Sequence, residues 1–126
     1  KKVNETDIER IISEVKTGKI GGINVTVPFK KSVIPFLDEL TLLADKTQSV
    51  NTIFKKENKV IGDNTDVEGF ERSLKLINYD VKNKKVFILG AGGVVHSIIF
   101  ALKKLSASKI MLSNSYHVAN RHRQSR

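Results

Sequence analysis

The sequence contains no cysteine and no tryptophan, and it has only one methionine and two prolines among 126 residues. The lack of cysteine excludes disulfides and thiolate metal sites, and it suits a reducing compartment, so we expect a cytoplasmic protein without a bound metal. No segment approaches the roughly 18 consecutive apolar residues of a transmembrane helix, and no signal peptide is visible. We therefore expect no membrane partner.

Aromatic residues are also scarce, at 6% of the sequence, whereas the net charge is +9. Arg121, Arg123 and Arg126 supply three of the positive charges within the last ten residues, and other cations form lysine pairs spread along the chain. A nucleic-acid-binding protein needs a compact basic stripe or aromatic side chains on which bases stack, and neither is present. The charge instead favours a small anionic ligand, and a nucleic-acid-binding module is kept as the alternative.

The overall composition, 40% apolar and 28% charged, is that of a folded globular protein with a core. The sequence begins with Lys1, and its only methionine is Met111. We therefore expect it to be an internal part of a longer protein.

The segment that ends at Lys30 is the first candidate site. Apolar and polar residues alternate over 23–27, which predicts a half-buried strand with one polar face. Pro28 cannot donate a hydrogen bond to a sheet, so we expect the strand to end there. Lys30 then follows a rigid strand end, where functional side chains are often found. We interpret Lys30 as the centre of the site.

The flanking segments predict helices and a hairpin. Apolar spacing indicates an amphipathic helix over 6–17, with Thr6 and Glu9 as its capping box. A second helical region is predicted over 31–46, and a β-hairpin is predicted over 50–61. This first part of the chain is thus predicted to mix helices and strands.

Two polar positions near the hairpin have more than one interpretation. Asn51 lies at the hairpin entrance, where its amide either ties down the local backbone or binds a ligand. Asp66 comes just before a helix predicted over 67–77, where a carboxylate favours the positive end of the helix dipole. In that interpretation, Thr65 and Glu68 form a capping box.

The alternative is that Asp66 faces Lys30. A carboxylate within about 4–6 Å of an ammonium group stabilises its charge and holds it in place. Such a pair can transfer a proton to and from a substrate.

A change of pattern follows a polar, lysine-rich stretch at 78–85. Residues 86–89 form a continuous apolar run, as expected for a parallel strand buried on both faces. The run leads into Gly90-Ala91-Gly92-Gly93, then a helical pattern, and then a short strand over 110–112. This order of strand, glycine turn, helix and strand predicts the start of a dinucleotide-binding unit, in which backbone amides approach a pyrophosphate.

The residues after the second of these strands bear on the cofactor. No acidic residue follows this strand to bind a ribose 2′-hydroxyl, and Asn114 and Ser115 stand there instead. The absence of an acid favours a 2′-phosphate, and therefore NADP over NAD.

Four segments together resemble a known family. Asn-Val-Thr-Val-Pro-Phe-Lys at 24–30, Val-Asn-Thr at 50–52, Gly-Asp-Asn-Thr-Asp at 62–66 and Gly-Ala-Gly-Gly at 90–93 are similar, in order and spacing, to motifs of the shikimate dehydrogenases. The resemblance extends over about three quarters of the chain. It implies NADPH-dependent reduction of 3-dehydroshikimate to shikimate, a step towards chorismate and the aromatic amino acids.

The resemblance also implies an α/β fold in two incomplete parts. Residues 1–66 would be the end of a substrate-binding domain, and 67–85 a connecting helix and linker. Residues 86–114 would be the first βαβ unit of a Rossmann-type NADP-binding domain. A basic tail, expected to be disordered, would occupy 115–126.

Residue roles follow from the same resemblance. The expected catalytic pair is Lys30 and Asp66, and the expected small-molecule substrate ligands are Thr26, Lys30, Asn51 and Asp66. The expected cofactor ligands are Gly90, Ala91, Gly92, Gly93, Val94 and Asn114.

The sequence departs from the family at two places. The serine pair that binds the substrate carboxylate in the family is absent, and Ser115 stands where the family usually has an arginine for the 2′-phosphate. We therefore expect the chain by itself to be inactive. The alternative within the enzymes is an NAD-dependent quinate/shikimate dehydrogenase.

Overall fold

The computed structural model describes residues 3–113. Its helices are α1 (Ile8–Lys16), α2 (Leu42–Thr47), α3 (Asp66–Leu76) and α4 (Val95–Lys104), and its strands are β1 (Gly22–Asn24), β2 (Glu39–Leu40), β3 (Thr52–Lys56), β4 (Lys59–Asp63), β5 (Lys85–Leu89) and β6 (Lys109–Ser113). The predicted tail and Asn114 lie outside the described residues. None of the described helices is long and apolar enough to cross a membrane.

The strands form two sheets. The first has the order β1-β3-β4-β2, in which β3 pairs antiparallel with β1 and β4, and β2 pairs parallel with β4. The second consists of β5 and β6 in parallel, joined by α4. The predicted mixed α/β class is confirmed.

The core of the first sheet is closed by α1. Ile8, Ile12 and Val15 lie one turn apart on one face of the helix, and all three are buried together with Ile53 and Val60 of the sheet. The amphipathic helix predicted for this segment is therefore present, although it begins at Ile8 after a 3₁₀ turn.

The predicted start of α1 is wrong in detail. The Asp7 carboxylate, rather than Glu9, accepts a hydrogen bond from a backbone amide ahead of the helix, that of Asn4, at 3.1 Å. Asn4 lies three residues before Asp7, so the pair has capping-box spacing two residues earlier than Thr6 and Glu9.

The second helical region, predicted over 31–46 with a break at Pro35, is confirmed only in part. The segment contains a 3₁₀ turn at Ile34–Phe36, then β2, and only then the short helix α2. The amide of Asp38 donates to the Val60 carbonyl at 3.0 Å, and the amide of Thr41 donates to the Gly62 carbonyl at 2.9 Å. Pairing with β4 therefore outweighs the local helical periodicity.

Strand β4 runs further than predicted, to Asp63, and includes Gly62. A Cβ atom at Gly62 would lie 2.5 Å from a Leu37 methyl carbon and 2.9 Å from a Val50 methyl carbon. The core leaves no room there for a side chain, so this glycine serves the packing of the strand rather than a helix start. Strand β1, in contrast, is shorter than predicted and ends at Asn24.

The second sheet corrects another prediction. Strand β5 was expected to be buried on both faces, yet Phe87 is 56% exposed and Leu89 is 80% exposed. A strand is buried on both faces only when other elements cover both faces. Within residues 3–113, nothing covers the side of β5 that carries these two residues.

Candidate active site

Lys30 is held in place by the backbone on both sides of it. The chain turns after β1, where the amide of Phe29 donates to the Thr26 carbonyl at 2.9 Å. The Lys30 carbonyl accepts from the amide of Val50 at 2.8 Å, which ties this turn to the residues ahead of β3. The position of the lysine thus depends on the first sheet.

Lys30 and Asp66 form an ion pair. The Lys30 Nζ atom lies 2.8 Å from Asp66 Oδ2, and the two side chains are only 14% and 20% exposed. Every other ion pair found within residues 3–113 has a partner that is more than half exposed. Because water screens a sheltered pair less than a surface pair, the attraction between these two charges is stronger than in the exposed pairs.

Asn51 orients the carboxylate of this pair. Its Nδ2 donates to Asp66 Oδ1 at 3.0 Å and to Thr65 Oγ1 at 2.9 Å, and its Oδ1 accepts from the Thr65 amide at 3.0 Å. Both oxygens of Asp66 are therefore engaged, one by Lys30 and the other by Asn51. The structure brings together three of the four predicted substrate-binding residues.

Thr26, the fourth residue, lies apart from the pair. It is exposed, and it lines a separate, mostly apolar cavity of about 290 Å³ between β1 and α1. Among the described residues, no hydrogen bond joins Thr26 to Lys30 or Asp66.

The sequence analysis missed the role of Asn64. Thr65 was predicted to cap α3 with Glu68, but its side chain makes no capping hydrogen bond. Instead, Asn64 Oδ1 accepts from the Asp66 amide at 3.0 Å and from the Val67 amide at 3.4 Å. The signal that could have revealed it is the strong preference of asparagine for capping positions.

The glycine turn packs against the segment that carries Lys30. A Cβ atom at Gly93 would lie 2.5 Å from Val27 Cγ1 and 3.8 Å from Lys30 Cδ. A glycine at this position lets the Val27 side chain approach the turn so closely. The structure thus brings the predicted cofactor turn next to the predicted catalytic lysine.

A cavity of about 430 Å³ lies between the glycine turn, the turn that carries Lys30 and the end of α2. Its lining includes Lys30, Lys31, Gln48, Ser49, Ala91, Gly92, Gly93 and His96. Gly90 and Val94, which were also predicted to contact the cofactor, are not among the lining residues.

One buried group in this lining has no partner. Ser49 is 3% exposed, and its hydroxyl makes no hydrogen bond within residues 3–113. A buried hydroxyl without a partner is costly unless a ligand or water satisfies it. Together with the cations of the lining and the close approach at Gly93, this hydroxyl fits an anionic cofactor. Over the same residues, no cluster of three metal-ligating side chains is present.

Comparison with known proteins shows what this chain is similar to. The profile of the shikimate dehydrogenase substrate binding domain matches residues 1–53. The shikimate dehydrogenase (NADP(+)) of Pelagibacter ubique is 59% identical over 112 residues, which are 89% of this chain and 42% of that protein. Over most of its length, the chain is similar to the shikimate dehydrogenases.

Solved shikimate dehydrogenases share its fold. The enzyme from Peptoclostridium difficile has a TM-score of 0.82 at 32% identity, and 90% of this chain covers 42% of that one. The enzyme from Thermus thermophilus, solved in complex with NADP(H) and shikimate, has a TM-score of 0.76 at 29% identity, with coverage of 90% and 42%. The described sheets match the substrate-binding domain and the start of the Rossmann domain of such shikimate dehydrogenases.

The match is partial in length. The chain spans about 42% of the shikimate dehydrogenases that it matches.

Proposed function

We propose that this chain supplies the proton-handling residues of a shikimate dehydrogenase that reduces 3-dehydroshikimate to shikimate with NADPH. The observation that carries the proposal is the sheltered Lys30–Asp66 ion pair, oriented by Asn51 and adjacent to the glycine turn. The pair suits a reaction in which an oxygen gains a proton as its carbon is reduced.

The chemistry assigned to the pair is general acid catalysis. When bound, NADPH supplies a hydride to the substrate carbonyl carbon. The carbonyl oxygen gains negative charge as its π bond breaks, and Lys30 Nζ donates the proton that converts it to a hydroxyl. Asp66 holds the ammonium group towards the substrate and stabilises its charge until the proton leaves.

We propose that the substrate hydroxyl groups bind to Thr26, Asn51 and Asp66. The Asn51 amide already makes four hydrogen bonds, counting the one that its Oδ1 accepts from Thr52 Oγ1 at 3.1 Å. A substrate hydroxyl must therefore replace one of them. The bond to the exposed Thr65 hydroxyl is the one that a ligand can displace most easily, because it faces water.

The cofactor is proposed to lie along the glycine turn, with Gly90, Ala91, Gly92, Gly93 and Val94 near its pyrophosphate. The Ser49 hydroxyl is a further donor that such an anion would satisfy. Asn114 is proposed to lie near the 2′-phosphate of NADP.

We propose the same domain boundaries that the sequence analysis predicts. Residues 1–66 would belong to the substrate-binding domain, 67–85 to the connection, and 86–114 to the NADP-binding domain. We also propose a cytoplasmic location, which the lack of cysteine favours.

The test is a chimera of full length. The 112 matched residues of the Pelagibacter ubique relative are replaced by those of this chain, and oxidation of NADPH is followed with 3-dehydroshikimate. We expect turnover with NADPH and 3-dehydroshikimate, and much weaker turnover with NADH or in the reverse direction with quinate. A folded chimera that reduces no 3-dehydroshikimate with either cofactor would disprove the proposal.

The 126-residue chain alone is the second arm of this test. We expect no turnover, because the family's serine pair is absent from it. Measurable reduction of 3-dehydroshikimate by the chain alone would contradict this expectation. Salt-sensitive binding to DNA without affinity for NADPH would instead support the nucleic-acid alternative.

A further inference from the structure

One buried amide group, that of Asn64, joins several segments of the chain. Asn64 is 1% exposed, and its Nδ2 lies 2.9 Å from each of three oxygens, Thr47 Oγ1, the Ser49 carbonyl and Ser97 Oγ. An amide nitrogen has only two hydrogens to donate. The side chain is therefore held by more acceptors than it can serve at once, which fixes its orientation.

The other end of this amide acts on Asp66. Asn64 Oδ1 accepts from the backbone amides of Asp66 and Val67, at 3.0 and 3.4 Å. These are amides of the first turn of α3, which have no partner within the helix. Asn64 thus decides where α3 begins, and with it the place of the Asp66 carboxylate opposite Lys30.

The contact with Ser97 extends this connection to the glycine turn. Ser97 lies in the first turn of α4, which begins at Val95 just after the turn, and its exposure is 0%. Asn64 and Ser97 are 33 positions apart in the sequence. A single side chain therefore links the backbone of Asp66 to the helix that adjoins the proposed cofactor cavity.

We propose that Asn64 is a positioning residue that places Asp66 for proton transfer and, through Ser97, holds the glycine-turn helix in register with it. This inference rests on the proposed function. It implies that Asn64 acts on the proton-transfer step through Asp66, and that it acts on cofactor binding through the Ser97 hydroxyl.

A double-mutant cycle in the full-length chimera tests the first implication. At saturating NADPH, where a change in cofactor affinity does not enter, Asn64→Ala is expected to lower kcat/KM for 3-dehydroshikimate by roughly 100-fold, the effect of a misplaced catalytic group. In an Asp66→Asn background the same change is expected to cost less than about threefold, because the group that it misplaces is already disabled. Equal losses in both backgrounds would mean a merely structural role and would overturn the inference.

Val60→Ala is the control for loss of stability alone. Val60 is a core residue of β4 with 1% exposure and no contact with the ion pair. We expect this variant to lower the Tm while leaving kcat unchanged at temperatures where it is folded. A comparable loss of kcat in Val60→Ala would show that the assay reports stability, and it would overturn the assignment of Asn64.

Ser97→Ala tests the second implication and decides the matter if Asn64→Ala does not fold. The variant leaves Asn64 two acceptors for its two hydrogens, so the fold is kept. The Kd for NADPH is expected to rise roughly two- to tenfold, because the variant removes the hydroxyl that links α4 to Asn64, and the KM for 3-dehydroshikimate is expected to stay unchanged. Unchanged NADPH affinity would overturn the link to the glycine turn.

Failure of this inference can be told apart from failure of the proposed function. An unsubstituted chimera that is folded but inactive would remove the proposed function itself. An active chimera with additive losses would remove only the role of Asn64.

Discussion

The two sheets differ in how completely the chain buries them. In the first sheet, Ile53 of β3 and Val60 of β4 are 0% and 1% exposed, under the cover of α1. In the second sheet, Phe87 and Leu89 of β5 are 56% and 80% exposed. Both regions contain apolar strands, so the difference lies in what covers them rather than in their composition.

This difference separates two parts of the site. The Lys30–Asp66 pair and Asn51 depend on the first sheet, which has a cluster of buried apolar residues among the described ones. The glycine turn belongs to the second region and reaches the pair through the close approach at Gly93 and the Asn64–Ser97 hydrogen bond. The residues proposed to handle the proton are therefore held by the first sheet, and the glycine turn packs against the segment that carries Lys30.

The largest effect is expected at Lys30, and it tests whether the residues held by the first sheet carry the proton transfer. Lys30→Met in the chimera is expected to lower kcat by about 10²–10⁴-fold, the contribution of a positioned general acid, with a small change in Tm. The matched control is Lys55→Met, which removes an exposed lysine of β3 and is expected to leave kcat unchanged. Full activity of Lys30→Met would place the proton donor elsewhere.

The next largest effect follows from the difference in burial between the two sheets. It is a difference in the free energy of unfolding, measured by urea denaturation of the 126-residue chain. Ile53→Ala is expected to lower the free energy of unfolding by about 2–5 kcal/mol, because it leaves a cavity in the buried core. Leu89→Ala removes a side chain that is mostly in water, and it is expected to cost less than about 0.5 kcal/mol. Similar losses of stability in both variants would contradict the difference in burial between the two sheets.

The junction between the two regions is tested at Gly93. Gly93→Ala would bring a methyl group to 2.5 Å from Val27 Cγ1, so we expect a loss of about 1–3 kcal/mol in stability and weaker binding of NADPH by the chimera. Gly69→Ala, where the added carbon meets nothing within 4 Å, is the control and is expected to be neutral or stabilising. Adding Val27→Ala to Gly93→Ala should recover part of the loss, and no recovery would contradict the contact.

The smallest effect concerns an exposed contact of the first sheet. The Val60 amide donates to Asp38 at 2.8 Å and the Lys16 ammonium donates at 3.0 Å, which together lower the pKa of the Asp38 carboxyl. A pKa that is lower in the folded state stabilises the fold above the unfolded value, near 3.9 for an ordinary aspartate, and the benefit is lost as the pH falls.

Asp38→Asn should therefore lower the urea midpoint slightly at neutral pH. The difference from the unsubstituted chain should shrink near pH 3, where the carboxyl of the latter becomes protonated. A difference that stays constant from neutral to acidic pH would show that the charge of Asp38 contributes nothing.

Much of the fold was predictable because its signals are local. The alternation that leads to Lys30, the apolar spacing of α1, and the order of strand, glycine turn and helix around Gly90 are all short-range patterns. The motifs also pointed to Lys30, Asn51 and Asp66, and the structure places these three side chains in contact. Their chemical roles stay predictions.

The predictions from the sequence that were wrong share one cause: each depended on contacts between distant parts of the chain. Residues 39–40 were taken as helix, but their strand is created by pairing with β4, some 22 residues further along the chain. Capping by Asn64 was missed because the sequence offered Thr65 and Glu68 as an equally good local solution. The exposure of Leu89 was missed because a continuous apolar run says nothing about whether anything covers it.

The sequence by itself indicated the resemblance to the shikimate dehydrogenases and the mixed α/β class, and it singled out Lys30 and Asp66, since each signal lies in short runs of adjacent residues. Only the tertiary structure decided that Lys30 meets Asp66 across 36 positions and that Asn64 reaches Ser97 across 33. The physical reason is that a hydrogen bond or an ion pair needs two atoms about 3 Å apart, and only the packing of the helices and sheets sets such distances.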